Sequence, residues 1–253
     1  MKIYGKNCIN EALRAKAKLE KVFLLDTNQK KDVNIIDQLN KNSIPYEIVN
    51  KQKMEKLFGN NTQGYAAFRE EYHILVEEDL NNFKDASRIL LLDGIMDPHN
   101  LGAILRTVDA FGIDLVILPK NRSVSVTEVA AHVSTGAIEH TNIMYVNSLL
   151  TICNRLKEMG FWICGTDAKG TVLSTDIDKN LKLAVITGSE GFGMSKTLVN
   201  ASDFLITIPM VGYVNSLNAS DYLITIPMVG HVNSLNASVS AAIVMHDLMK
   251  KGE

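Results

Sequence analysis

Residues 88–119 read RILLLDGIMDPHNLGAILRTVDAFGIDLVILP. Two short apolar runs, at 88–95 and 113–119, flank a segment whose apolar side chains recur at helical spacing. The pair Asp97-Pro98 indicates a turn before this helix, and Gly112 indicates its end. Continuous apolar runs are typical of strands that are buried on both faces of a parallel sheet. The stretch therefore predicts a strand, a helix and a second strand.

The same alternation continues toward the C-terminus. Helical spacing recurs at 126–140 and 148–160, and short apolar runs at 161–166 and 181–188 are typical of strands. This rhythm predicts an α/β fold with a doubly wound parallel sheet.

The front of the chain has a pattern of its own. Helical segments at 7–20, 33–43 and 51–59 alternate with strand-like runs at 22–26 and 45–50, as in a small α/β domain. A polar and charged stretch then precedes the buried strand that begins at residue 88. We therefore predict a domain over 1–73, a linker over 74–87 and a second domain over 88–253.

Composition limits the classes of protein that the chain can belong to. Its 253 residues are 46% apolar with a net charge of −2, which is typical of a globular protein rather than a disordered one. Three scattered cysteines are too few for a disulfide framework or a zinc site. No apolar leader is visible, so we expect a cytoplasmic protein. Residues 1–73 carry a net charge of +4, and residues 74–253 carry a net charge of −6. This difference suggests that the N-terminal part binds a polyanion.

A tandem repeat lies near the C-terminus. Residues 201–218 read ASDFLITIPMVGYVNSLN, and residues 219–236 read ASDYLITIPMVGHVNSLN. The copies differ at two positions, so they indicate a tandem duplication rather than a solenoid. The second copy runs directly into an Ala-, Val- and Met-rich helical segment at 237–251. Proline, glycine, serine and asparagine in each copy are typical of a turn that binds a polar ligand, or of an ordinary β-to-α loop.

Two further segments carry candidate chemistry. In 97–112, Asn100 lies at the start of the predicted helix and Arg106 lies six residues later. These two residues are either site residues or merely a helix cap and a surface cation. In VITGSEGFGMS, at 185–195, a strand enters a glycine-rich turn whose backbone N–H groups can approach a ligand. Glu190 in that turn either binds a ligand hydroxyl or is solvated.

Taken together and in this order, the three segments resemble the SpoU (TrmH-like) family of RNA ribose 2′-O-methyltransferases, part of the SPOUT superfamily. That family has an Asn…Arg helix start, a TGSEG-G loop and an IPM-G-V-SLN-S segment before a final helix. The front of the chain, IYGKNCINEALRA at 3–15 and TQGYAAF at 62–68, is similar to the RNA-binding domain of the subgroup that modifies a guanosine of 23S ribosomal RNA.

The resemblance implies a fold and an activity. It implies a parallel-sheet methyltransferase domain with a C-terminal trefoil knot, after a small N-terminal α/β domain like certain ribosomal proteins. The expected activity is S-adenosylmethionine-dependent 2′-O-methylation of RNA by a homodimer, with a 23S rRNA guanosine as target and no metal. The alternatives are a tRNA 2′-O-methyltransferase, a catalytically silent RNA-binding protein, and a scaffold made to probe knotting.

The resemblance also implies roles for individual residues. The catalytic set is Asn100, Arg106, Glu190, Ser234 and Asn236. The cofactor set is Thr187, Gly188, Glu190, Gly191, Ile226, Met228, Ser234 and Leu235. The RNA-binding set is Lys6, Arg14, Lys16, Lys18 and Lys21, which on the alternative interpretation form a solvated helix face. A guanidinium stays protonated, so we interpret Arg106 as placing the 2′-hydroxyl and the adjacent phosphate rather than as a lone base.

The repeat raises the question of which copy fills the site. Copy two leads directly into the final helix, so we expect its Met228, Ser234 and Asn236 in the site. Residues 203–218 would then be extruded or paired elsewhere. The competing prediction uses the corresponding residues of copy one, which are Ile208, Met210, Ser216, Leu217 and Asn218.

Overall fold

The computed structural model describes residues 1–28, 32–167, 170–189, 192–207 and 236–249. The first elements along the chain are β1 (Lys2–Tyr4), α1 (Lys6–Arg14), β2 (Leu19–Leu25), α2 (Val33–Lys41), β3 (Tyr46–Val49), α3 (Lys51–Phe58) and β4 (Tyr65–Arg69). They are followed by β5 (Arg88–Asp93), α4 (Pro98–Phe111), β6 (Leu115–Pro119), α5 (Glu128–Val133), β7 (Ile143–Val146), α6 (Leu149–Glu158) and β8 (Trp162–Thr166). The last are β9 (Val172–Leu173), β10 (Leu183–Gly188), α7 (Lys196–Ala201), β11 (Phe204–Thr207) and α8 (Ala237–Val244), which a π-helical turn continues over Met245–Met249.

The described residues form two compact units. The first comprises Met1–His73 together with Ser125–His140, and the second comprises Ile74–Val124 and the described residues after His140. The first unit contains a four-stranded sheet in the order β1-β4-β2-β3. In this sheet β4 is antiparallel to β1 and β2, whereas β2 and β3 are parallel.

These units differ from the sequence-based division in two places. Residues 74–87, predicted as a linker, belong to the second unit, where the Leu75 N–H donates to the Ile143 carbonyl at 2.8 Å. Residues 125–140, predicted as part of the second domain, cluster with the first unit. There the buried Arg69 side chain pairs with Glu139. Ion pairing between residues far apart in the chain has no local signature, so the sequence pattern did not reveal it.

Two predicted helices are shorter in the structure. The helix predicted over 7–20 ends at Arg14, because Lys16 has a left-handed φ of 54° and the chain then enters β2. The helix predicted over 126–140 is interrupted after α5, where Thr135 and Gly136 have φ values of 54° and 95°. A Cβ on Gly136 would lie 2.7 Å from the Cβ of Glu11, so glycine is required at this close approach.

The second unit confirms the predicted parallel sheet. Its seven strands have the order β7-β6-β5-β10-β8-β11-β9, and each adjacent pair is parallel. The central strands β5, β6 and β10 are buried except at their last residues; Leu90, Ile117 and Val185, for example, are fully inaccessible to solvent. This burial explains the continuous apolar runs of the sequence. From β5 the chain adds β6 and β7 on one side of the sheet, and it places the later strands on the other side, beginning with β10 next to β5. Ligands of such sheets bind at the carboxyl ends of the two strands where the direction of strand order changes.

Copy one of the repeat contributes a strand to this sheet. Residues 204–207 form β11 between β8 and β9, so this part of residues 203–218 is not extruded. The connection from α7 is only two residues long, and a short connection favours the nearer copy. Asp203 anchors it, because its N–H donates to the Ile163 carbonyl and its carboxylate accepts from the Ile163 N–H, both at 2.8 Å. Residues 208–235, on which the predicted knot depends, lie outside the described residues.

No helix in the described part of the chain is long and apolar enough to cross a membrane.

Candidate functional site

The carboxyl ends of β5 and β10 lie side by side in the sheet, with Gly188 in register with Asp93. The Asp93 carboxylate accepts a hydrogen bond from the Ser195 N–H at 2.8 Å, which ties the end of β5 to the start of α7. Gly94 follows with a φ of 80°, and a Cβ there would lie 3.4 Å from the Cβ of Ser189. The two loops that leave these strands are therefore in direct contact.

The glycine-rich loop after β10 folds back on itself. Ser189 and Gly193 exchange two backbone hydrogen bonds, of 3.2 and 2.9 Å. A Cβ on Gly188 would lie only 2.2 Å from the backbone carbon of Gly193, so only glycine allows this approach. The loop therefore closes tightly over the end of the strand.

Thr187 provides a buried polar group at this end of β10. Its side chain is 2% exposed, and its Oγ1 has no hydrogen-bond partner within the described part of the chain. Buried hydroxyl groups are nearly always hydrogen-bonded, and an exception calls for an explanation. A bound polar ligand would provide one.

Asn100 lies in the first turn of α4 but does not cap the helix. Asp97 is the N-cap, since its carboxylate accepts from the His99 N–H at 2.9 Å, and Pro98 occupies the first helical position. The alternative interpretation of Asn100 as a mere helix cap is therefore wrong. The Asn100 side-chain oxygen accepts a hydrogen bond of 2.9 Å from the side-chain amide of Asn236.

Asn236 is the last residue of copy two and serves two elements at once. Its side-chain oxygen accepts from the Ser238 N–H at 2.9 Å and so caps α8, while its amide nitrogen donates to Asn100. The structure therefore brings together two residues of the predicted catalytic set from positions 136 residues apart.

Arg106 is exposed on α4, and no hydrogen bond or ion pair holds its guanidinium within the described residues. Six residues of α-helix place it about 9 Å along the axis from Asn100 and about 120° around it. The described structure therefore does not bring Arg106 to Asn100, and Arg106 is exposed.

An apolar groove of about 580 Å³ runs between α4 and α8. Ala103, Thr107 and Phe111 line it from α4, and Val239 and Ile243 line it from α8. These α4 residues recur every four positions and so form one stripe on the helix.

Four of the five predicted RNA-binding cations have a carboxylate partner in the first unit. The pairs are Lys6 with Asp32 at 3.8 Å, Arg14 with Glu11 at 2.7 Å, Lys18 with Glu70 at 3.2 Å and Lys21 with Glu47 at 2.8 Å. Hydrogen bonds from Lys21 and then from Lys53 hold the pKa of the Glu47 carboxyl below its ordinary value. Lys16 is exposed, and no ion pair engages it within the described part of the chain. The Lys18–Glu70 pair is exposed on both sides, and such pairs are weak, so a phosphate can replace that carboxylate. In the Lys6 pair, by contrast, Asp32 is buried.

Several predicted site residues lie outside the described residues. They are Glu190, Gly191, Ile208, Met210, Ser216, Leu217, Asn218, Ile226, Met228, Ser234 and Leu235. Their roles stay predictions. Conversely, sequence reasoning assigned no role to Asp93, the last residue of β5, or to Ser195, the last residue of the segment at 185–195. No group of three or more metal-binding side chains occurs among the residues that the structure describes.

Comparison with known proteins gives this geometry its context. Residues 87–221 match the SpoU rRNA methylase family, and residues 2–75 match an RNA 2′-O ribose methyltransferase substrate-binding domain. A Staphylococcus saprophyticus protein assigned to the TrmH family of tRNA/rRNA methyltransferases is 39% identical over 257 residues, covering 98% of this chain and 95% of the relative. A Staphylococcus aureus protein with the same assignment is 37% identical over 254 residues, with the same coverage.

Solved structures share the fold. The SpoU methyltransferase AviRb from Streptomyces viridochromogenes, in complex with the cofactor S-adenosylmethionine, superimposes with a TM-score of 0.75 at 18% identity, covering 98% of this chain and 89% of the other. A cofactor-bound rRNA methyltransferase from Sinorhizobium meliloti gives 0.71 at 18% identity, covering 98% and 85%. With the family matched over more than half of its residues and a relative 39% identical along nearly its whole length, the chain belongs to the SpoU/TrmH family of RNA methyltransferases.

Proposed function

We propose that the protein transfers a methyl group from S-adenosylmethionine to the ribose 2′-hydroxyl of a guanosine in 23S ribosomal RNA. One observation carries the proposal: Asn236 donates a hydrogen bond to Asn100, in the first turn of the helix that follows the carboxyl end of β5. Two residues of the catalytic set that the family resemblance implies thus meet where parallel sheets bind their ligands.

The described end of β10 fits the proposed cofactor. Thr187 offers a buried hydroxyl without a partner among the described residues, next to Gly188, whose backbone packs closely against Gly193. S-adenosylmethionine is bound in the structures from Streptomyces viridochromogenes and Sinorhizobium meliloti. When bound, the cofactor supplies a methyl group on a sulfonium, whose sulfur departs as a neutral thioether, so the reaction calls for no metal.

Residues of this chain would then position the acceptor. The guanidinium of Arg106 remains protonated, so it places the 2′-hydroxyl and the adjacent phosphate instead of acting alone as a base. The proton of the 2′-hydroxyl would pass to that phosphate as the new bond to carbon forms. Asn100, held by Asn236, would orient the ribose. Because the nucleophile and the methyl carbon must lie in line, most of the rate would come from positioning.

The substrate class rests on the front of the chain. The match of residues 2–75 to an RNA 2′-O ribose methyltransferase substrate-binding domain supports an RNA substrate and a ribose acceptor. Transfer RNA is the second candidate, because the relatives from Staphylococcus are assigned to methyltransferases of both tRNA and rRNA.

We further propose that the protein acts in the cytoplasm as a knotted homodimer. A second copy would cover the apolar groove between α4 and α8, since apolar side chains such as Phe111 and Val239 gain most from exclusion of water. Arg106 lies one residue from the groove-lining Thr107, so a partner seated there would lie close to the arginine.

The test uses the purified full-length protein with radiolabelled S-adenosylmethionine and RNA from cells that lack the corresponding modification. We expect label in 23S rRNA, in a nucleotide whose 3′-phosphodiester resists alkaline hydrolysis because its 2′-hydroxyl is methylated. We expect no label in RNA treated with Arg106→Ala protein. Label in tRNA alone would favour the second candidate. Absence of both cofactor binding and transfer would reject the methyltransferase proposal and favour a silent RNA-binding protein.

A further inference from the structure

Phe192 is the most exposed large apolar side chain among the described residues, with 95% of its surface accessible. We propose that its ring stacks on a nucleobase of the RNA segment that enters the site, while Lys120 and Arg122 bind the phosphates of the same segment. This inference rests on the proposed function and adds to it the residues that hold the RNA next to the reacting ribose.

The loop that carries Phe192 is anchored on both sides. The Ser189–Gly193 hydrogen-bond pair closes it, and Gly193 has a left-handed φ of 64°. On its far side, Met194 is buried and the Ser195 N–H donates to Asp93. Because the described neighbours Gly193, Met194 and Ser195 are held in place, little conformational entropy would be lost when a base stacks on the ring.

Two other aromatic side chains in the described part of the second unit contact neighbouring rings. Trp162 lies 5.4 Å from Phe204 between ring centroids, and Phe111 lies 6.0 Å from His246. Phe192 has no ring contact of this kind within the described residues. Aromatic side chains that present a free face are the usual platforms on which proteins stack unpaired bases.

The cations come from the loop after β6. Lys120 and Arg122 are exposed, and no ion pair engages either side chain within the described part of the chain. Arg122 has a φ of 60°, a strained conformation for a residue with a Cβ, and such strain clusters at functional sites. The loop is held in place, because the Val124 N–H donates to the Ile95 carbonyl and the Tyr145 hydroxyl donates to the Val124 carbonyl.

Sheet order places these groups along one edge. β6 and β10 flank β5, so the loops that leave them are two strand spacings apart, or about 10 Å. Asp93 and Asp97 lie on the same edge, but each carboxylate accepts a backbone N–H, from Ser195 and His99 respectively. These backbone hydrogen bonds hold the two carboxylates in place but leave them negatively charged. The positive groups offered to a phosphate backbone are Lys120 and Arg122, whose side chains have no ion-pair partner among the described residues.

The first experiment compares three variants of Phe192 in steady-state methyl transfer to 23S rRNA. Phe192→Ala and Phe192→Leu should each raise the KM for RNA by about five-fold or more, because stacking on a base is lost. Phe192→Tyr keeps the ring and should stay within about two-fold of the wild type. Affinity for S-adenosylmethionine should be unchanged in all three.

Two outcomes would overturn the inference. An unchanged KM in Phe192→Ala would show that the ring contacts no RNA, and full activity in Phe192→Leu would show a need for apolar cover, such as a second copy, rather than for stacking. Failure of the wild-type protein to transfer methyl groups would instead reject the proposed function. The two failures are therefore distinguishable.

The second experiment measures binding without catalysis. The chain has one tryptophan, so Phe192→Trp in a Trp162→Phe background gives a single fluorescent reporter at the loop. Titration with a short single-stranded RNA should quench it. Binding without quenching, seen by anisotropy of a labelled RNA, would contradict the inference.

The cations are tested by salt dependence. Lys120→Gln and Arg122→Gln should each reduce the slope of log affinity against log salt by about one phosphate contact. Lys179→Gln is the matched control, because Lys179 is exposed and precedes β10, at the amino ends of the strands. Slopes equal to that of the control in both variants would exclude Lys120 and Arg122 from the RNA path.

Discussion

The side-chain amide of Asn236 donates a 2.9 Å hydrogen bond to the side-chain oxygen of Asn100. This bond joins the last residue of the second repeat copy to the first turn of α4. The strand β11, by contrast, comes from the first copy. Parts of both copies therefore contribute to the fold.

We expect the two roles of Asn236 to separate by substitution. Asn236→Ala removes the cap of α8 and the bond to Asn100, and should lower the free energy of unfolding by about 1 kcal/mol or more. Asn236→Ser can still cap the helix but cannot reach Asn100, so it should recover most of the stability without restoring activity. Urea denaturation and methyl-transfer assays measure the two effects. Equal stability of the Ala and Ser variants would argue against the cap.

Removal of residues 208–225 should preserve the site. The deletion joins Thr207 of copy one to Ile226 of copy two and leaves one continuous copy between β11 and α8. Because a shorter connection between the same anchors costs less conformational entropy, we expect an unfolding temperature equal to or above that of the full chain. Thermal unfolding and cofactor titration provide the readouts. Loss of folding in this variant would mean that the duplicated residues are required.

Arg106→Ala should abolish methyl transfer and leave the fold intact. The side chain is exposed and has no partner in the described part of the chain, so the free energy of unfolding should change by no more than about 0.5 kcal/mol. Arg106→Lys keeps the charge but loses the planar guanidinium, and should recover little activity. Transfer at near wild-type rate by the alanine variant would refute the assigned role.

The three cysteines should be unreactive in the native protein. Burial raises the pKa of Cys8 and Cys153 to about 11 and that of Cys164 to about 12, from an ordinary value of 9.0. Thiolates are therefore scarce near neutral pH, so iodoacetamide should label all three only after unfolding. Fast labelling of the native protein would contradict this burial.

The same shifts predict a loss of stability at high pH. A raised pKa in the folded state stabilises the protein fully below the unfolded-state value of 9.0, and this contribution disappears as the pH rises through the folded-state values near 11 and 12. Unfolding temperatures should therefore fall as the pH rises above 9.0. A Cys8→Ala variant should show a shallower decline.

Some features of the fold were missed because their signals are not local. The strand β4 contains Ala66 and Ala67, which have low strand propensity. It forms because β1 and β2 pair with it on both sides. The attachment of residues 125–140 to the first unit likewise depends on contacts such as Arg69 with Glu139, which only the folded chain brings together.

The sequence alone determined the parallel strands around residues 88–119, the helix between them and the end of that helix at Gly112, because apolar runs, helical periodicity and a glycine stop act over a few neighbouring residues. It also named Asn100, Arg106 and Asn236 as candidates through the family resemblance. Tertiary structure alone decided that β10 inserts between β5 and β8, which places Thr187 and Gly188 beside Asp93. It also decided that Asn236 reaches Asn100. Such pairings depend on the packing energy of segments distant in the chain, which no local pattern contains.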